Sequence, residues 1–237
     1  MGANLVIRQR VIDDELIVPT TFYDNEFAGP FQLIVDTYGV PNYKEMNPAV
    51  FTCVTFPFLF GVMFGDVFAG ALLVSFAVCV FMFGSNPESS LAGVHWFRWL
   101  VLLMGIFSLY AGFLYNDFTS LPLYLFGDSC YEYSPDNDTP SRKPDCVYPF
   151  GVDPSWYLST DELTFMNSMK MKIAVILGVF QMCIGIIIKG CNARFNSNRL
   201  DFWFEFVPQL CMMLALFGFM DYLIIAKWLI NWDGITE

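Results

Sequence analysis

Residues Val50 to Phe83, VFTCVTFPFLFGVMFGDVFAGALLVSFAVCVFMF, carry a single charge, Asp66. So apolar a run belongs in a membrane. At ~1.5 Å per helical residue it reaches roughly 51 Å, against a hydrocarbon core of ~30 Å, too long for one span and slightly short for two. Pro57, Gly61, Gly65 and Gly70 supply possible breaks. Backbone freed at a break is tolerated in a bilayer only where protein or a wet cavity satisfies it. The reading is a membrane hairpin over 49–84, two short helices meeting near Gly65 and Asp66.

The rest of the composition agrees. The chain of 237 residues is 56% hydrophobic and 18% aromatic, and its net charge of -11 argues against nucleic acid, whose phosphates need a basic face. No continuous apolar core follows the first basic residues, so the first span is expected to serve as its own insertion signal. Residues 1–48 read as a cytoplasmic segment, with Phe27, Phe31, Ile34, Val35 and Tyr38 at helical spacing in a short amphipathic helix that Gly39 and Pro41 end.

Beyond the turn-rich connector GSNPESSLAG lies a span over 95–115, with Arg98 at one end and aromatics at both. Residues 116–169 form the one sizeable loop, rich in Asp and Glu, with Arg142 and Lys143 as its bases. Further spans are expected over 170–189 and 202–230, followed by a tail, 231–237. Lys189, Arg194 and Arg199 crowd the connector between those two spans, which places it in the cytosol and the acidic loop in the lumen. The fold class is therefore all-α, a polytopic membrane protein of about five transmembrane helices with one luminal loop.

Few groups in the spans can carry chemistry. Asp66 is the sharpest, because a charged aspartate near a helix centre costs ~3 kcal/mol on insertion scales and must be paired, protonated or wet. Two readings stand side by side: a lining of a proton or ion path, and a luminal turn residue capping the second helix of the hairpin. Asp221 and Lys227 share the last span, six apart, so they do not face each other along one helix. Lys227 beside Trp228 reads first as an interfacial anchor. Gln181 is expected to bond across helices, and Glu205 to be solvated near the cytoplasmic end.

In the loop, Cys130 and Cys146 can pair if it faces an oxidising lumen, and Asn137-Asp138-Thr139 is a glycosylation sequon. A single histidine, His95, leaves no set for a histidine metal site or a Ser-His-Asp triad, and no cofactor is implied.

Several stretches carry a resemblance: FQLIVDTYGVPNYKEMNPAVFTCVTFPFLFGVMFGD, LLMGIFSLYAGFLYND, YPFGVDPSW, LTFMNSMKMKIAVILGVFQM, and LFGF followed by AKW. In order and at similar spacing, they resemble the opening of the membrane half of the large a subunit of eukaryotic vacuolar-type (V-type) proton ATPases. The resemblance implies a non-catalytic subunit of the membrane sector beside the proteolipid ring, contributing to proton transport in a vacuolar or other endomembrane, or the plasma membrane. It also matches Asp66 and Lys227 to the family's aspartate and lysine; with Asp221, which its depth in the last span singles out, these are the proton-path candidates.

Departures accompany it. Ala69 and Gly70 stand where the family has His-Gly, Asp221 stands where an apolar or small residue is expected, and no arginine lies at the centre of a span. The chain is therefore expected to be a fragment, a truncated gene product or a short paralogue, incomplete without further spans. The rival readings are a tetraspanin-like structural protein, disfavoured by the lack of a Cys-Cys-Gly segment, and an independent channel or transporter, disfavoured by the lack of internal repeats.

Overall fold

A computed structural model describes residues 20–22, 25–84, 92–132, 141–143, 146–158 and 162–230. Among the described residues, six helices carry the fold: α1 (Gly29–Tyr38), α2 (Ala49–Met63), α3 (Val67–Phe83), α4 (Arg98–Tyr115), α5 (Glu162–Phe195) and α6 (Arg199–Leu229). Three are long and apolar enough to cross a membrane, counting α4 with the 3-10 turn that leads into it. Of the five helices expected as spans, three have that length and two, α2 and α3, of 15 and 17 residues, are shorter. These reach ~22 and ~25 Å.

The chain is interrupted only at Phe64 to Asp66 in this run, and the other expected breaks are not breaks. Pro57 and Gly61 lie inside α2 and Gly70 inside α3. The two glycines take their purpose from α4, which both short helices pack on. A Cβ added at Gly61 would lie 2.6 Å from the Phe107 carbonyl carbon, one at Gly70 2.6 Å from the Leu109 nitrogen, and one at Gly112 2.4 Å from the Val67 nitrogen. In lipid, where apolar burial drives little, backbones held this close gain their attraction from van der Waals contact. Glycine provides the approach.

α4 also satisfies the backbone that the interruption frees. The Ser108 hydroxyl donates to the Phe64 carbonyl at 2.7 Å, and the Tyr115 hydroxyl to the Val62 carbonyl at 3.1 Å. Each such carbonyl left bare in hydrocarbon would cost several kcal/mol.

α4 ends at Asn116, whose left-handed backbone (φ 53°) turns the chain into a tight two-stranded ribbon, β1 (Asp117–Phe118) and β2 (Leu121–Pro122). The loop beyond folds back as a cap on the helix end. The Asn116 amide donates to the Val152 carbonyl at 2.7 Å, the Val152 nitrogen to Leu114 at 3.0 Å, and the Tyr157 hydroxyl to Tyr115 at 3.0 Å. Gly151, at φ 78°, lies where a Cβ would meet the Leu114 oxygen at 2.4 Å. A second ribbon pairs β3 (Tyr131–Glu132) with β4 (Ser141–Arg142). Cys130 and Cys146 are disulfide-bonded, their Cα atoms 5.5 Å apart.

α5 is longer than the 170–189 span expected of it, for it starts at Glu162, within the segment read as loop. Trp156 stacks on Phe165 at 3.9 Å between ring centroids, anchoring that first turn to the cap. After a turn at Ser197 (φ 56°), α6 runs back along α5, with the Phe206 ring against Gly190. Two π turns interrupt α6, Phe202–Phe206 and Leu214–Gly218. The first adjoins Pro208, which has no N–H to give and would clash with the carbonyl of Phe204 in a regular helix. Among the residues of α6, only Met213 is buried.

Helix α1 buries Phe31, while Tyr38, read as part of its apolar face, is exposed. Asn47 links this region to α2: its amide donates to Gln32 at 2.6 Å and its carbonyl oxygen accepts from the Ala49 nitrogen at 3.0 Å.

Candidate functional site

Asp66 occupies the interruption between α2 and α3. One carboxylate oxygen accepts from the Phe68 nitrogen at 3.1 Å, capping α3, and from the Thr119 nitrogen at 3.0 Å. Thr119 and Ser120 both have positive φ (53° and 64°), an uncommon pairing for residues with side chains, and Asp117 holds the second of them, 2.8 Å from the Ser120 nitrogen. The carboxylate thus bolts the ribbon after α4 onto the N-terminus of α3. These bonds are those of a cap on α3.

Asp221 is placed differently. It lies on α6 three residues after the second π turn, and its Oδ1 is buried with no hydrogen-bond partner among the described residues. A buried polar atom without a partner points to something that satisfies it. Lys227 lies six residues on, toward the end of α6 where Trp228 lines a cavity of about 440 Å³ with Phe165, Met169 and Lys172 of α5. The three candidates are not brought together: Asp66 belongs to the α3, α4 and β1 junction, whereas α6 packs chiefly on α5. The side chain of Gln181, expected to bond across helices, makes no hydrogen bond among the described residues, and Gln181 takes part only in the backbone of α5.

The opposite end of α5 and α6 holds the other membrane-edge charges. The Lys189 ammonium donates to Glu205 at 2.5 Å and to Gln209 at 3.5 Å. Glu205, expected to be solvated, is exposed and pairs with Lys189 at the surface. Lys189 and Glu205 border an open cavity of about 500 Å³ that also touches Glu45, Asn192 and Asp201. Asn192 fastens its rim, accepting from the Met46 nitrogen at 3.0 Å. None of Asp66, Asp221 and Lys227 lines it.

At the loop end, Lys170 reaches Asp117 at 3.4 Å and lies 4.9 Å over the Tyr115 ring. Nearby is a buried carboxylate that the sequence reading passed over. Asp153 accepts from the Ser129 hydroxyl at 2.7 Å and from the Cys130 and Ser155 nitrogens, each at 3.0 Å. Burial alone pushes its carboxyl up, but the hydrogen bonds from Ser155, Ser129 and Cys130 outweigh it and hold it below the ordinary carboxylate value. Asp before Pro154 at a 3-10 turn is a capping signature, and Asn116 just past an apolar helix is a left-handed cap signature, so both could have been found. Asn137 of the sequon lies outside the described residues.

The model of the V-type ATPase 116kDa subunit family matches residues 4–237. Among curated proteins, the chain is 42% identical over 224 residues to V-type proton ATPase subunit a3 of Arabidopsis thaliana, covering 89% of this chain and 27% of the relative. It is 38% identical over 223 residues to V-type proton ATPase subunit a of Schizosaccharomyces pombe, 91% of this chain and 27% of the relative. To the V-type proton ATPase 116 kDa subunit a 4 of Homo sapiens it is 36% identical over 253 residues, 96% of this chain and 30% of the relative. The chain spans less than a third of the length of each of these relatives.

Proposed function

The chain belongs to the V-type ATPase 116kDa subunit family, and from that premise we propose that it acts as part of the membrane-sector stator of a V-type proton-translocating ATPase. The observation that carries this reading is the similarity over 89% or more of the chain to subunits of proton ATPases from a plant, a yeast and an animal. In this reading the chain lies beside the proteolipid ring in an endomembrane, with the loop between α4 and α5 in the lumen. It hydrolyses nothing itself. Its part is to hold the ring against the stator and to shape the surroundings through which protons pass.

The geometry distributes the candidate roles. Asp66 supports a structural part, since its carboxylate closes the hairpin turn and caps α3. Lys227, with Trp228 beside it at the end of α6, supports an anchor at the membrane boundary. Asp221 supports the proton-handling part: it is a carboxylate inside a span whose buried oxygen lacks a partner.

Affinity purification from detergent-solubilised membranes tests the assembly. The expected result is recovery of the proteolipid subunits with the tagged chain. Recovery of the chain alone, under conditions that keep the rest of the ATPase together, contradicts it.

A further inference from the structure

The loop between α4 and α5 is acid-rich, yet Phe118 to Gly127, FTSLPLYLFG, carries no charge and is bounded by Asp117 and Asp128. Within it Leu121, Tyr124 and Leu125 are 63%, 54% and 59% exposed. Phe126 packs on Phe150 at 4.9 Å between centroids, and both keep an open side. An apolar ridge of this size on a loop normally has an occupant.

Its height relative to the helices identifies that occupant. The Leu123 nitrogen donates to the Asn116 carbonyl at 3.1 Å, and the Val152 nitrogen to the Leu114 carbonyl at 3.0 Å. Both bonds hold the ridge and its Phe150 flank at the C-terminal end of α4. The ridge is also continuous with the outer surface of the short helices, because Phe118 meets the exposed Phe68 of α3 edge-on at 5.8 Å. Lys170 reaches Asp117 at the same level, with its stem over Tyr115. Aromatic rings, leucines and a long-stemmed lysine at one height are the composition of a membrane boundary.

We propose that residues 118–126, with Phe150, form an interfacial anchor seated in the lipid leaflet on the loop side, at the boundary between headgroups and acyl chains. Lipid is its occupant. Neutrality suits that place, whereas the acids elsewhere in the loop favour water. The anchor fixes the height of the cap and, through the Asp66 contact with Thr119, the height of the hairpin turn. The inference requires only that α4 crosses the bilayer and does not depend on assembly into the ATPase.

Single-cysteine probes test it. In a chain with Cys53, Cys79, Cys183, Cys191 and Cys211 replaced by alanine and the disulfide kept, Leu125→Cys and, separately, Asp128→Cys are labelled with nitrobenzoxadiazole and reconstituted in phosphatidylcholine nanodiscs. The expected result is a blue-shifted emission at 125, quenched severalfold more by brominated acyl chains than the probe at 128. Equal quenching of both by aqueous iodide overturns the proposal. In case the cysteine substitutions prevent folding, p-benzoylphenylalanine at position 125 of the otherwise unaltered chain is irradiated in cell membranes. A lipid adduct supports the anchor. A protein adduct, or no lipid adduct, overturns it.

Discussion

The two halves of the membrane region are built from segments of similar oiliness and are packed in opposite ways. α2, α3 and α4 approach backbone to backbone at Gly61, Gly70 and Gly112, and Ser108 and Tyr115 satisfy the carbonyls freed where α2 stops. α5 and α6 meet chiefly where Gly190 admits Phe206 and Lys189 pairs with Glu205. Gly178 and Gly185 of α5 face open space, and Asp221 keeps a buried oxygen without a partner. Apolar composition alone therefore does not decide how a span packs. Small residues and well-placed hydroxyls close the first half on itself, while the second half leaves most of its surface for lipid or for other parts of an assembly.

The contrast is broken most forcefully at glycine. Gly112→Leu drives a side chain into the backbone of Asp66 and Val67, an overpacking of ~3 kcal/mol or more. Loss of folded yield in detergent is expected, while Gly178→Leu, in open space, leaves the yield unchanged. Equal tolerance at both sites would remove the distinction.

The next effect is at the cap. Cys146→Ser opens the bond to Cys130, and closing a loop of this size contributes ~3 kcal/mol in the chain-entropy model. Proteolysis of the loop is expected to speed up, while the α2, α3 and α4 contacts persist.

Asp153 gives a smaller effect with a definite pH dependence. Its folded value lies below the ordinary carboxylate value, so the stabilisation it supplies is present above the unfolded pKa of ~3.9 and is lost as pH falls through the folded value. Limited proteolysis across pH 3 to 7 is expected to show a cap that holds at mildly acidic pH and loosens below about 4. Asp153→Ala removes the acceptor, costs ~1–3 kcal/mol and flattens that profile.

Much of this was legible from residues. The all-α membrane class follows from apolar length, and the interruption near Gly65 from a run too long for one span. What could not be read was which glycines break a helix and which admit a neighbour, since Gly61 and Gly70 take their meaning from Phe107 and Leu109 on another segment. The start of α5 at Glu162 was hidden because polarity marks the edge of the bilayer, not the end of a helix. Asp66 was ambiguous for a similar reason: its second partner, Thr119, is fifty-three residues away. Asp153 was missed although its position before Pro154 is a capping pattern, because the acids of the loop were read together only for their charge.

ATP-driven acidification by membrane vesicles, with assembly of the ATPase verified by co-purification, tests the division between Asp66 and Asp221 most directly. Asp66→Asn keeps an oxygen for the Phe68 and Thr119 nitrogens and should pump like the parent, Asp66→Ala should reduce assembly, and Asp221→Asn should slow pumping in an assembled enzyme. Abolished pumping by an assembled Asp66→Asn enzyme, together with normal pumping by Asp221→Asn, would contradict the account.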